Sequence, residues 1–124
     1  MAIIKDDLMW LSGFLEGEGC FTYTSMKTTK RRYKYPKIEV RNTDKDVMVR
    51  AQHLIGGRSL YEHRDKRFAG RAKLLYSATV SGPKALALMT DLYPYMGERR
   101  RNRIEELLFA WEHGHENSVD LTAR

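Results

Sequence analysis

Residues 8–19, Leu-Met-Trp-Leu-Ser-Gly-Phe-Leu-Glu-Gly-Glu-Gly, constrain the fold more than any other stretch. Leu8, Leu11 and Leu15 make one helical stripe and Trp10 with Phe14 a second. A helix that is apolar on nearly every side must be covered on nearly every side. Gly13 and Gly17, four residues apart, clear a line along which another backbone can come close. That small-residue spacing is best known from membranes, but its steric content holds in water too. The run is too short to cross a bilayer, which takes about 20 apolar residues. In a chain of 124 residues this helix is expected to pack on its own sheet and on a second molecule as well. Asp6 or Asp7 is placed to cap it, and its end falls near Glu16.

Helical spacing then gives way to strand alternation. Phe21, Tyr23 and Ser25 take one side and Cys20, Thr22, Thr24 and Met26 the other. From Tyr35 to Asn42, Ile38 and Val40 point inward and Lys37, Glu39 and Arg41 outward, which closes a hairpin. Thr43 or Asp44 begins a second helix, with Thr43 and Asp46 approximating a capping box. Its apolar stripe is Val47, Ala51, Leu54 and Ile55, and Gly56-Gly57 ends it. A second strand pair is read over Arg58–Arg64 and Arg71–Val80. Pro83 opens a third helix that Pro94 closes, and a fourth spans Glu98 to His113 with Ile104, Leu107, Leu108 and Trp111 in register. The order is α-β-β-α-β-β-α-α. The expected class is α+β: one domain over 1–113, with a four-stranded antiparallel sheet, helices on one face and an extra C-terminal helix. Residues 114–124 show no periodicity and are expected to fray.

Charge is unevenly distributed within the net of +6. Residues 1–26 hold one lysine against four carboxylates, whereas the remainder holds 21 basic and 12 acidic residues. A basic body of this kind implies a polyanionic partner, nucleic acid foremost. The face of the sheet without helices would be polar and basic, and a twisted ribbon of that sort fits a DNA major groove. Expected contacts from the first hairpin are Thr22, Thr24, Lys30, Arg31, Arg32, Lys34, Lys37 and Arg41. From the second they are Tyr61, His63, Arg71, Lys73 and Ser77. One cysteine excludes a disulfide framework and a Cys-rich zinc module. Neither a Walker loop nor an HExxH motif is present, and His113-Gly-His115 lacks a second ligand pair. The N-terminus carries no targeting pattern. The expectation is therefore a soluble intracellular protein with no membrane partner, in a bacterial or phage-host cytoplasm.

Leu11-Ser12-Gly13-Phe14-Leu15-Glu16-Gly17-Glu18-Gly19 resembles the sequence that names the LAGLIDADG homing endonucleases. Leu92-Tyr93-Pro94-Tyr95-Met96 looks like the family's Leu-x-Pro-aromatic-Leu segment, and the element order matches its core. The resemblance implies a single-motif homodimer, joined through Leu11, Ser12, Gly13, Glu16 and Gly17. It further implies Glu18 as the metal-binding and catalytic acid, Asp44 as a polar residue of the active site, and Arg99 where the family has a pocket lysine. The implied activity is Mg²⁺-dependent cleavage of double-stranded DNA with 3′ overhangs, Mn²⁺ substituting. Two departures stand out. Both motif acids are Glu rather than Asp, and Met48 occupies a place where the family often has a basic residue. They leave two alternatives: a DNA-binding regulator of the same fold, and a maturase acting on RNA.

Overall fold

The computed structural model describes residues 3–27, 32–57, 59–65 and 73–113. Helix α1 (Lys5–Glu18) leads directly into β1 (Gly19–Lys27), which pairs with β2 (Arg32–Asn42). Helix α2 (Lys45–Ile55), β3 (Tyr61–Asp65) and β4 (Lys73–Ser81) follow. Next come α3 (Pro83–Leu92), a 3-10 turn (Tyr93–Tyr95) and α4 (Glu98–His113). The expected order is therefore the observed one.

The four strands form one antiparallel sheet in the order β1-β2-β4-β3. Register places Phe21 beside Ile38, Ile38 beside Val80, and Val40 beside Ala78, so their side chains share one face. All five are buried, together with Leu11, Leu15, Met48, Met89, Leu92 and Ile104 from the four helices. The helices thus cover that face, and the alternate residues Thr22, Lys37, Glu39 and Arg41 lie on the other.

Several boundaries differ from the sequence reading. Ile4, not an aspartate, precedes α1 and makes no side-chain cap. Asp6 and Asp7 lie inside the first turn, where negative charge suits the positive helix end. Asp7 also meets Arg50 at 3.4 Å. Helix α1 continues through Gly17 to Glu18. Asp44 takes the N-cap position of α2 without a side-chain cap bond, so the capping box does not form. The turn is held instead by the Asp44 N–H, which donates to Asn42 Oδ1 at 2.9 Å. Strand β3 starts at Tyr61 rather than Arg58. Before it, Gly57 runs so close to β4 that a Cβ there would stand 2.5 Å from the Thr79 carbonyl oxygen. Lys30, Arg31, Arg71 and the 114–124 tail lie outside the described residues.

Candidate active site and sheet face

Register brings the motif to one end of the sheet. Gly19 pairs with Val40, so Glu18, which closes α1, and Asp44, which opens α2, leave the sheet at the same end. The start of α4 joins them there. Gly97 N–H donates to Glu16 Oε1 at 3.3 Å, and Arg100 Nη2 donates to the Glu16 carbonyl at 3.1 Å. Glu18 follows Glu16 by two residues and Arg99 lies between Gly97 and Arg100, so both flank the α1–α4 junction. Glu18, Asp44 and Arg99 are all exposed. Their side chains are presented to solvent at the sheet end where the motif helix stops.

The arginines at 99, 100, 101 and 103 are alike in sequence and divided in structure. Arg100 lies over the Phe21 ring at 5.5 Å, and Arg103 donates from Nε to the Phe21 carbonyl at 3.0 Å. These two fasten α4 to β1. Arg99 remains on the rim of a cleft of about 400 Å³ that it shares with Arg100, Asn102, Arg103 and Glu106. The preceding turn is held as well: the Tyr93 phenol donates to the Glu105 carboxylate. That bond first, and desolvation second, raises the phenol's pKa above the ordinary tyrosine value.

The expected interface residues separate into two groups. Leu11 and Ser12 belong to the chain's own interior: Leu11 is 0% exposed and Ser12 3%. The Ser12 hydroxyl donates to the Leu8 carbonyl at 2.7 Å. Neither has surface to offer a second molecule, which corrects the expectation for both. Glu16 is drawn toward Gly97 of the α4 junction, and its Oε2, like Arg100 Nε, is buried without a hydrogen-bond partner. Gly13 and Gly17 are exposed, and a Cβ on either would meet nothing within 4 Å. Met9, 47% exposed, extends the same i, i+4 stripe toward the start of the helix.

Met48 is fully buried. Its side chain fills the core under the sheet, so the position offers nothing to a solvent-facing pocket. Arg50 is turned to α1, its guanidinium 4.1 Å from the Trp10 ring.

On the open face, Arg41, Ser77 and Tyr61 form one row across β2, β4 and β3. Tyr61 is exposed and Thr22 and Thr24 half-buried. Ser77 is 5% exposed, which corrects its expected role as a direct contact. Its hydroxyl meets His63 Nε2 at 2.9 Å, so it stands behind the imidazole. Lys34 is exposed. It pairs with Ser25 and lies 4.7 Å from the Tyr23 ring, on the helix-bearing side of the sheet. Arg32 and Lys73 lie in β2 and β4 at Cα level, opposite Lys27 and Asp65.

No curated protein matches this chain in sequence. Solved structures match its fold. The homing endonuclease I-CvuI, in complex with its target in the presence of calcium, superposes with a TM-score of 0.63 at 18% identity over 87% of this chain and 67% of that one. The intron-encoded homing endonuclease I-CeuI, complexed with DNA, gives a TM-score of 0.65 at 12% identity over 94% of this chain and 59% of its own. The meganuclease I-SmaMI, bound to uncleavable DNA, gives 0.59 at 20% identity over 93% of this chain and 39% of its own. At such identities the likeness is one of fold. The sequence profile of the LAGLIDADG endonuclease family, however, matches residues 11–101, most of the chain and both motif segments, and the chain belongs to that family.

Proposed function

We propose that this chain is a site-specific DNA endonuclease that works as a homodimer with Mg²⁺ and leaves staggered ends with 3′ overhangs. The observation that carries the reading is the exposed carboxylate of Glu18. It ends the helix that exposes Gly13 and Gly17, at the sheet end where α2 also begins.

The donor set suits the metal only in part within one chain. Among the described residues no three His, Cys, Asp or Glu gather as a metal cluster. Mg²⁺, however, is commonly held by one or two carboxylates, with waters and substrate phosphates completing its shell. Glu18 supplies one such carboxylate, and a second copy packed along Gly13 and Gly17 supplies its equivalent. Bound there, Mg²⁺ would neutralise charge at the scissile phosphate and acidify an attacking water. Arg99 adds positive charge beside the developing phosphorane, and Asp44 adds a polar group at the same sheet end. No side chain is assigned as general base. Mn²⁺ is expected to replace Mg²⁺ in this role.

The test is incubation of the protein with randomised duplex DNA and Mg²⁺, followed by recovery of cut ends. Two identical subunits related by a two-fold axis impose that symmetry on their target. The recovered sites are therefore expected to be near-palindromes, most tolerant at the central base pairs. Sites with unrelated halves contradict the homodimer. Specific binding with no cut ends favours the second reading, a DNA-binding regulator, for which the buried Met48 in place of a basic residue is the structural argument.

Affinity gives a separate check. If about six basic residues contact phosphates, log K falls against log salt with a slope near −5. Replacing Lys30, Arg31 and Arg32 together is expected to flatten that slope by about 2–3. An unchanged slope assigns this segment no contact with the backbone.

A further inference from the structure

Lys37 and Arg41 put positive charge on the open face, yet a carboxylate stands between them near its centre. Glu39 lies in β2, one strand in from the edge, opposite Cys20 of β1 on one side and Thr79 of β4 on the other. Its Oε2 is 3.2 Å from Lys37 Nζ and its Oε1 is 3.0 Å from Arg41 Nη2. The three residues alternate along a single strand, so one acid ties down two cations on the face that would meet DNA.

Stability does not account for this acid. The core under this strand is built by Pro36, Ile38 and Val40 on the opposite face. Partly exposed ion pairs of the Lys37 and Arg41 kind contribute little. A surface meant only to attract phosphates would be stronger without Glu39, because a like charge repels the backbone at short range. What the carboxylate does accomplish is geometric. It occupies part of the donor set of Lys37 and Arg41 and holds both side chains along β2. An unrestrained lysine or arginine swings to the nearest phosphate, and phosphate contacts carry no sequence information. A restrained arginine keeps a planar edge of N–H donors for guanine O6 and N7, and a restrained lysine keeps its remaining ammonium protons for the same acceptors.

We propose that Glu39 is a positioning residue for base readout, which keeps Lys37 and Arg41 on guanine edges and off the phosphates. The proposal rests on the reading of the chain as a site-specific DNA-binding enzyme. Because both cationic groups touch the same carboxylate, they lie no more than about 8 Å apart, which is about two base-pair steps of about 3.4 Å. Each half-site is then expected to show two guanine preferences about two base pairs apart.

The test uses the intact chain and binding alone, in Ca²⁺ or without metal, so that cleavage plays no part. Glu39→Gln keeps the shape of the side chain and removes its charge. The variant is expected to bind random-sequence duplexes more tightly than wild type. Its log K against log salt should be steeper by about 1–2, as one or both cations reach phosphates. In selection from a randomised pool, discrimination at the two guanine positions should fall about 5-fold or more. Adding Lys37→Ala and Arg41→Ala to Glu39→Gln should abolish the extra slope. Unchanged base preference and slope in Glu39→Gln overturn the inference, as does an extra slope that survives the triple substitution. If the wild type shows no base preference on any DNA, the site-specific reading itself falls and this inference with it. A selective wild type with an equally selective Glu39→Gln removes the inference alone.

Discussion

On a DNA site selected by the wild-type protein, Glu18→Gln is expected to lose cleavage by about 10³-fold or more, which corresponds to about 4 kcal/mol of transition-state stabilisation. The side chain is exposed at the last residue of α1 and fills no part of the core, so the substitution removes charge without removing packing. Its thermal midpoint should therefore stay close to wild type, since surface changes of this kind fall within about 0.5 kcal/mol. DNA binding should persist, because the sheet face is untouched. The loss arises from the chemistry alone: an amide is a far poorer partner than a carboxylate for a hard divalent cation. Quantitative cleavage by the variant in Mg²⁺ would remove Glu18 from the active site. A folded variant that no longer binds DNA would instead place Glu18 in recognition.

The second large effect concerns assembly, and the three motif glycines separate it from folding. Gly13 and Gly17 face open space in a single chain, with nothing within 4 Å of an added Cβ. Glycine in a helix interior costs about 0.5–1 kcal/mol relative to alanine. Gly13→Ala and Gly17→Ala should thus make an isolated chain more stable, which denaturant melts at low concentration would show. Leucine at both positions places bulk where two helix backbones meet, at about 1–3 kcal/mol for each overpacked side chain. The two-fold axis repeats each clash in the partner copy. The double leucine variant is therefore expected to sediment as a folded monomer and to lose cleavage with the dimer. Gly19 behaves differently, because a Cβ there would stand 2.7 Å from the Leu15 carbonyl oxygen. Gly19→Ala should lower the stability of the chain itself. A stable dimer carrying leucine at 13 and 17 places the interface elsewhere.

Most elements of this fold could be read from spacing because their causes are local. Ile104, Leu107, Leu108 and Trp111 repeat at the helical period, and the expected helix at Glu98–His113 has the observed bounds. Ile38 and Val40 alternate with Lys37, Glu39 and Arg41, and the sheet buries the first pair and leaves the others on its open face. Hydrogen bonding at i to i+4, or across a pleat, imposes those periods on any sequence that adopts them. The motif glycines and Glu18 were legible for the same reason, as a pattern contained within nine residues.

Contacts between elements were another matter. Two apolar stripes on α1 left open which would turn inward, and packing against the sheet settled it, burying Leu11 and Leu15 and leaving Gly13 and Gly17 outside. The consecutive arginines at 99 and 100 are alike in sequence, yet successive residues point about 100° apart around a helix. Arg100 consequently meets Phe21 and the Glu16 carbonyl while Arg99 stays exposed. Asp44 lost its cap to Asn42, and Ser77 disappeared behind His63, through turn geometry and cross-strand register respectively. The sequence by itself determined the elements, their order and the single acidic motif. Tertiary structure alone decided which way α1 turns and which arginines of α4 are tied down, because those choices depend on contacts between residues far apart in sequence, 84 positions for Arg100 and Glu16, and no local period encodes them.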